Sequence, residues 1–234
     1  MLIRLFFFLT TCIYSQYHPH EWGSITSLLT PTGIQIASDG TVYASTSGGL
    51  LEFNPNTEKF TAIKMEDGLI YLDLSCIEID NEGRLWLGGA YPNGYLQIYD
   101  PIRGLVRKIT HLDIAEIKMI RIGTNKAFAV YEGTTSSDIG ILEFDLDDDG
   151  LPEYKDYYTN FSNVVITEIR DLDIFQDTLL YVTTDQGIFV GNTRGNLKSS
   201  ENWNIIYNDN DAKQYLPFSD GVSNAGFVIS DSLM

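Results

Sequence analysis

The stretch from Asp145 to Asp156 carries the densest chemical signal in the chain: Asp145-Leu-Asp147-Asp-Asp149-Gly150-Leu151-Pro-Glu-Tyr-Lys-Asp156. Carboxylates alternating from Asp145 through Asp147 to Asp149 can converge on one hard cation. Gly150 permits the sharp turn, the Leu151 carbonyl is a further oxygen donor, and Asp156 stands where a calcium loop ends. The chemistry this spacing suits is oxygen coordination of calcium. Asp156 is shorter than the bidentate Glu usual at that last position, and the flanks read as strands, not helices. The matching hairpin earlier in the chain, Asn54-Pro-Asn-Thr-Glu58, has no such carboxylates. A calcium ion here is therefore expected to be structural, clamping an acidic turn.

Other groups offer less. His18-Pro-His20 precedes Glu21, and His111 is the only other histidine, which is too few for a catalytic metal cluster. There is no Ser-His-Asp arrangement, and no glycine-rich phosphate loop opens a helix. No glycosidase pair can be singled out among 32 acidic residues. Catalysis is not expected and no cofactor is required. A binding surface is the better expectation. Glu66, Asp67 and Tyr71 fall in one connecting loop, Tyr91 and Asn93 in another, and Thr134 to Asp138 in a third. Tyr and Asn combine flat apolar area with hydrogen bonding, which suits a protein or glycan partner.

The elements that must position these loops are short strands in a repeat. Gly49-Leu-Leu-Glu-Phe53, Gly94-Tyr-Leu-Gln-Ile98, Gly140-Ile-Leu-Glu-Phe144 and Gly187-Ile-Phe-Val190 begin 45, 46 and 47 residues apart. A period in the mid-forties built from strands predicts an all-β fold, a β-propeller of four-stranded antiparallel blades. Blade two is clearest. Ser75–Ile79 alternates as an inner strand, Asp80-Asn-Glu-Gly83 turns, and Arg84–Gly88, Tyr95–Tyr99 and Leu105–Ile109 follow. The blades are expected at about 33–65, 74–110, 115–159 and 165–208, with a fifth starting at 222–234. That makes about four and a half blades, an incomplete ring. Glu21-Trp-Gly-Ser-Ile25 is similar to Glu201-Asn-Trp-Asn-Ile205 and would supply the outermost strand of a closing blade. A small, imperfect five-blade ring is the alternative.

Residues 1–15 read as a secretory signal, with Arg4 before the apolar run Leu5–Leu9 and Ser15 before the cleavage point, so 16–234 would be the propeller domain. An apolar first strand is the competing reading, and no later stretch approaches transmembrane length. Leu9-Thr-Thr-Cys12 loosely fits a lipoprotein processing site, although Thr11 is atypical. Removing the signal leaves Cys76 alone, so no disulfide framework is expected. The formal charge is −17, which excludes nucleic acid as a partner and suits an exported protein.

Asp67-Gly-Leu69, Leu74-Ser-Cys-Ile-Glu-Ile79 and Gly83-Arg-Leu-Trp86-Leu-Gly88 resemble the two-component regulator propeller repeat. Thr41–Ser45 with Gly49-Leu50, and Leu180–Thr183 with Gly187-Ile188, are similar but weaker copies. Blade three carries Phe128 where the repeat has Trp. The layout also resembles the propeller of type IX secretion-associated proteins. The resemblance implies a propeller over about 21–230 and a bacterial surface or periplasmic location, with a non-catalytic binding or assembly role. The alternative it implies is the periplasmic, glycan-sensing propeller of a hybrid two-component regulator. A propeller enzyme would need a carboxylate or metal cluster at its channel mouth.

Overall fold

The computed structural model describes residues 26–110, 113–135 and 138–206. The expected signal segment, Cys12, His18, His20, His111, the Glu21–Ile25 strand and the 222–234 strand lie outside them.

Among the described residues, sixteen strands alternate with tight turns. The first sheet holds β1 (Pro31–Ile36), β2 (Val42–Thr46), β3 (Gly49–Asn54) and β4 (Lys59–Ile63). The second holds β5 (Leu74–Ile79), β6 (Leu85–Gly89), β7 (Tyr95–Asp100) and β8 (Gly104–Ile109). The third holds β9 (Glu116–Ile122), β10 (Lys126–Glu132), β11 (Ile139–Leu146) and β12 (Pro152–Tyr158). The fourth holds β13 (Ile169–Phe175), β14 (Leu179–Thr184), β15 (Gly187–Asn192) and β16 (Trp203–Ile206). Each sheet is an antiparallel meander in chain order. Two 3-10 turns, Met65–Asp67 and Ser200–Asn202, are additions the repeat did not announce.

The glycines that lead the third strands are there for two different reasons. Gly49 and Gly187 follow tight turns with φ of 126° and 130°, a region that costs a side chain dearly. Gly140 has no such backbone. A Cβ there would meet the Tyr158 carbonyl at 2.5 Å and the Tyr131 ring at 2.8 Å.

Every first strand carries a bulge at one register position: Thr32, Ser75, Lys118 and Arg170 stand unpaired against the second strand. The bulges make the four blades superimposable in register. Ile34, Ile77, Ile120 and Leu172 then correspond, as do the second-strand aromatics Tyr43, Trp86, Phe128 and Tyr181.

The cores sit between sheets. Tyr43, Leu50 and Ile63 of the first blade pack with Ile77, Leu85 and Leu87 of the second. Trp86, Leu96 and Ile98 pack with Ile117, Ile120 and Ala129 of the third. Phe128, Val130 and Ile141 pack with Leu172, Val182 and Phe189 of the fourth. The first strands adjoin in the same order. Thr32 donates to the Leu74 carbonyl at 2.9 Å, Ser75 donates to that of Ile117, and Arg121 pairs with Asp171 at 3.0 Å. Sheets packed face to face, with inner strands side by side, make a β-propeller arc, four blades of an incomplete ring.

Candidate functional site

The loops that join second to third strands, and each blade to the next, share one end of the arc. Backbone bonds knit them together. Gly94 donates to the Ile114 carbonyl at 2.8 Å and Ala115 to that of Glu132 at 2.8 Å. Asp138 donates to the Thr135 carbonyl at 2.9 Å, and its own carbonyl accepts from Gly133. Asp113 and Ile114 are thereby seated beside the turn that carries Asp138.

A cavity of about 460 Å³ opens at this junction. Ile114 and Leu142 form apolar walls, and Asp113, Asp138 and Thr159 supply oxygens. Three tyrosines complete the lining. Tyr131 is 4% exposed, whereas Tyr154 and Tyr157 stand half-exposed at 49% and 47%. Burial pushes the Tyr131 phenol above its ordinary value, and the nearby Asp138 carboxylate adds to the effect. Burial and then Asp156 do the same for Tyr154. Both hydroxyls therefore stay protonated and remain donors at neutral pH. The Lys198 ammonium lies 5.1 Å from the Tyr157 ring centroid, a cation–π contact. A second cavity of about 420 Å³ shares Asp138 and Thr159 and continues along Asn160, Asn163 and Val165.

Tyr154 and Tyr157 share a face because of a local irregularity. Three residues apart, they would point to opposite sides of a regular strand. The register slips between Tyr154 and Asp156, so Tyr154 opposes Phe144 and Tyr157 opposes Leu142. Lys155 is the extra residue, and both rings end on one side.

Of the seven loop residues expected to form a ligand face, Asp138 alone lines this cavity. Thr134 is exposed in the same turn. Tyr91 is 73% exposed, in the loop of Asn93 that connects β6 to β7. Glu66 and Asp67 lie in the 3-10 turn after β4, where an Asp67 carboxylate oxygen accepts from the Lys64 amide at 2.9 Å. Tyr71 packs its ring 4.7 Å from that of Tyr95. These three positions brace the linker between blades one and two.

The acidic turn expected to hold calcium is placed between blades two and three, with its oxygens engaged by basic side chains. Asp147 pairs with Arg107 at 3.0 Å and caps the amides of Asp149 and Leu151. The Asp149 and Gly150 carbonyls accept from Arg84 at 2.7 and 3.1 Å. Asp145 pairs with Lys155 at 3.1 Å, and Asp156 pairs with Lys198. Among the described residues, no three His, Cys, Asp or Glu side chains gather where they could hold a metal ion.

At the other end of the arc a third cavity of about 460 Å³ is lined by Glu78, Arg121, Asp173 and Asp177. Arg121 bridges Glu78 and Asp171 there. Burial raises the Glu78 carboxyl, and Arg121 opposes that shift.

No protein-family model matches the chain, and no curated protein matches it significantly. Solved structures do. PorZ, described as an essential bacterial surface component of the type IX secretion system of Porphyromonas gingivalis, is 14% identical with a TM-score of 0.59. The match covers 80% of this chain and 24% of PorZ. The extracellular domain of BT4673 from B. thetaiotaomicron, described as a putative one-component system, is 14% identical with a TM-score of 0.56, over 90% of this chain and 26% of that one. Virginiamycin B lyase from Staphylococcus aureus is 16% identical with a TM-score of 0.52, over 73% and 55%. The chain spans about a quarter of the length of the PorZ and BT4673 chains. Identities this low establish the fold, and the lyase shows that enzymes use it too: the chain is similar to the β-propellers of a type IX secretion component and of an extracellular sensor domain.

Proposed function

We propose that this chain is an exported, non-catalytic propeller module of the bacterial cell envelope that binds a protein or glycan partner through the loop end of its blades. The observation that carries the reading is the tyrosine-lined cavity at the junction of blades two and three. It offers exposed tyrosine rings, and carboxylate oxygens from Asp113 and Asp138 with no basic partner among the described residues, on a sheet framework. An assembly role related to type IX secretion agrees with the likeness to PorZ. The likeness to BT4673 favours a second reading, a ligand-sensing extracellular propeller.

Photo-crosslinking in cells tests the binding reading. A photoreactive residue at Tyr91 or Val165, both exposed at the loop end, should yield an adduct with an envelope component. The same residue at Ile102, 94% exposed on the β7–β8 turn, should yield none. Equal adducts from both ends, or none from Tyr91 and Val165, would reject the loop-end interface. Mass spectrometry of the exported chain should find Gln16 as its first residue.

A further inference from the structure

We infer that the cavity over Tyr131 takes the cationic end of a lysine or arginine side chain presented by a protein partner. The inference rests on the binding-module reading and names the chemistry of its ligand. Tyr131 is 96% buried by area, being 4% exposed, yet its hydroxyl bonds to no described residue. No buried side-chain oxygen in the described structure is sealed off without a partner, so this hydroxyl keeps accessible surface, and Tyr131 lines the cavity. A buried hydroxyl left without a protein partner is set for a ligand atom.

The charges around it point to a cation. Asp145, Asp147 and Asp156, a few residues away, are each paired with a basic group. Asp113 and Asp138 reach the cavity with no basic partner among the described residues, and no lysine or arginine lines it. Aromatic ring faces attract cations, and Lys198 over Tyr157 shows that these rings already do so within the protein. Ile114 and Leu142 provide the apolar walls that an aliphatic stem would cover. A carbohydrate would use the rings and could donate hydroxyls to the exposed Asp113 and Asp138 carboxylates, whereas a cation also gains their charge. A chain of formal charge −17 favours a basic partner in addition.

The test is NMR of the 234-residue chain with labelled tyrosine rings. The probes are Nα-acetyl-lysine methylamide and its arginine counterpart. Nα-acetyl-norleucine methylamide has a comparable stem without the charge, and maltotetraose represents a neutral saccharide. The cationic amides should shift the Tyr131, Tyr154 and Tyr157 ring signals saturably, and the norleucine amide should not. Asp138→Asn should weaken the lysine amide about tenfold, as expected for loss of a hydrogen bond to a charged group. Tyr131→Phe keeps the ring and should weaken it about threefold. Unchanged signals elsewhere establish that both variants fold. Norleucine binding as tightly as lysine would overturn the inference. Ring shifts with maltotetraose and none with lysine would overturn it while leaving a binding module in place. Shifts with no probe would also overturn it, and the module reading would then rest on the crosslinking result.

Discussion

Arg84 of blade two donates to the backbone carbonyl of Asp149 in blade three at 2.7 Å. The same guanidinium pairs with Asp80 at 2.6 Å, and the Trp86 indole donates to that carboxylate at 3.0 Å. The acidic turn is thus held by a cation supplied from the neighbouring blade. Arg84→Met would leave Asp80, whose side chain is 3% exposed, buried without its counter-ion. It should cost about 3–5 kcal/mol, read as a lower urea midpoint. With Arg84 and Arg107 in place, millimolar calcium should leave the Tm unchanged; a clear rise would show that the turn yields to an added cation.

Register equivalence makes a prediction about core positions. Ile120 is 2% exposed between blades two and three, whereas its counterpart Ile34 is 65% exposed on blade one. Ile120→Ala should destabilise the 234-residue chain by about 2–5 kcal/mol. Ile34→Ala should change it by less than about 0.5 kcal/mol. Equal losses would mean that the outer face of blade one is covered.

Cys76 is 7% exposed, against Gly88 and Ile117. Burial pushes its thiol up to about 12, so almost no thiolate forms near neutrality. A disulfide reagent at about pH 8 should label it only as fast as the chain unfolds. Rapid labelling of the folded chain at Cys76 would contradict the placement.

Two carboxylates set an acid limit. Asp147 is held below the usual carboxylate range by the Leu151 amide, then by the Asp149 amide and Arg107. Asp185 is held well below it by the Gln186 side chain, then by the Thr167 amide and hydroxyl. A depressed folded value contributes stability above the unfolded carboxyl value of about 3.9, and that contribution is lost as pH falls through the folded value. The urea midpoint should therefore drop between about pH 5 and about pH 2. Asp185→Asn should flatten that drop, and an unchanged slope would remove Asp185 from the account.

Strand positions and their order were legible from local pattern. Alternation around Cys76-Ile77-Glu78, turn chemistry at Asp80–Gly83 and the glycine-led third strands act over a few residues, so the sequence alone determined four-stranded sheets in series. The match of Phe128 with Trp86 was legible too, because both stand at one register position. The site was decided by tertiary structure. One extra residue at Lys155 turns Tyr154 onto the face of Tyr157, and a period-two pattern cannot show where such a slip falls. Arg84 and Arg107, which hold the acidic turn, come from another blade, and a linker brings Asp113 to the cavity that Tyr131 lines. Contacts between residues tens of positions apart leave no mark in local spacing. The same aspartates read in isolation as a calcium loop, and only packing places Arg107 against Asp147 and Arg84 against the carbonyls of Asp149 and Gly150.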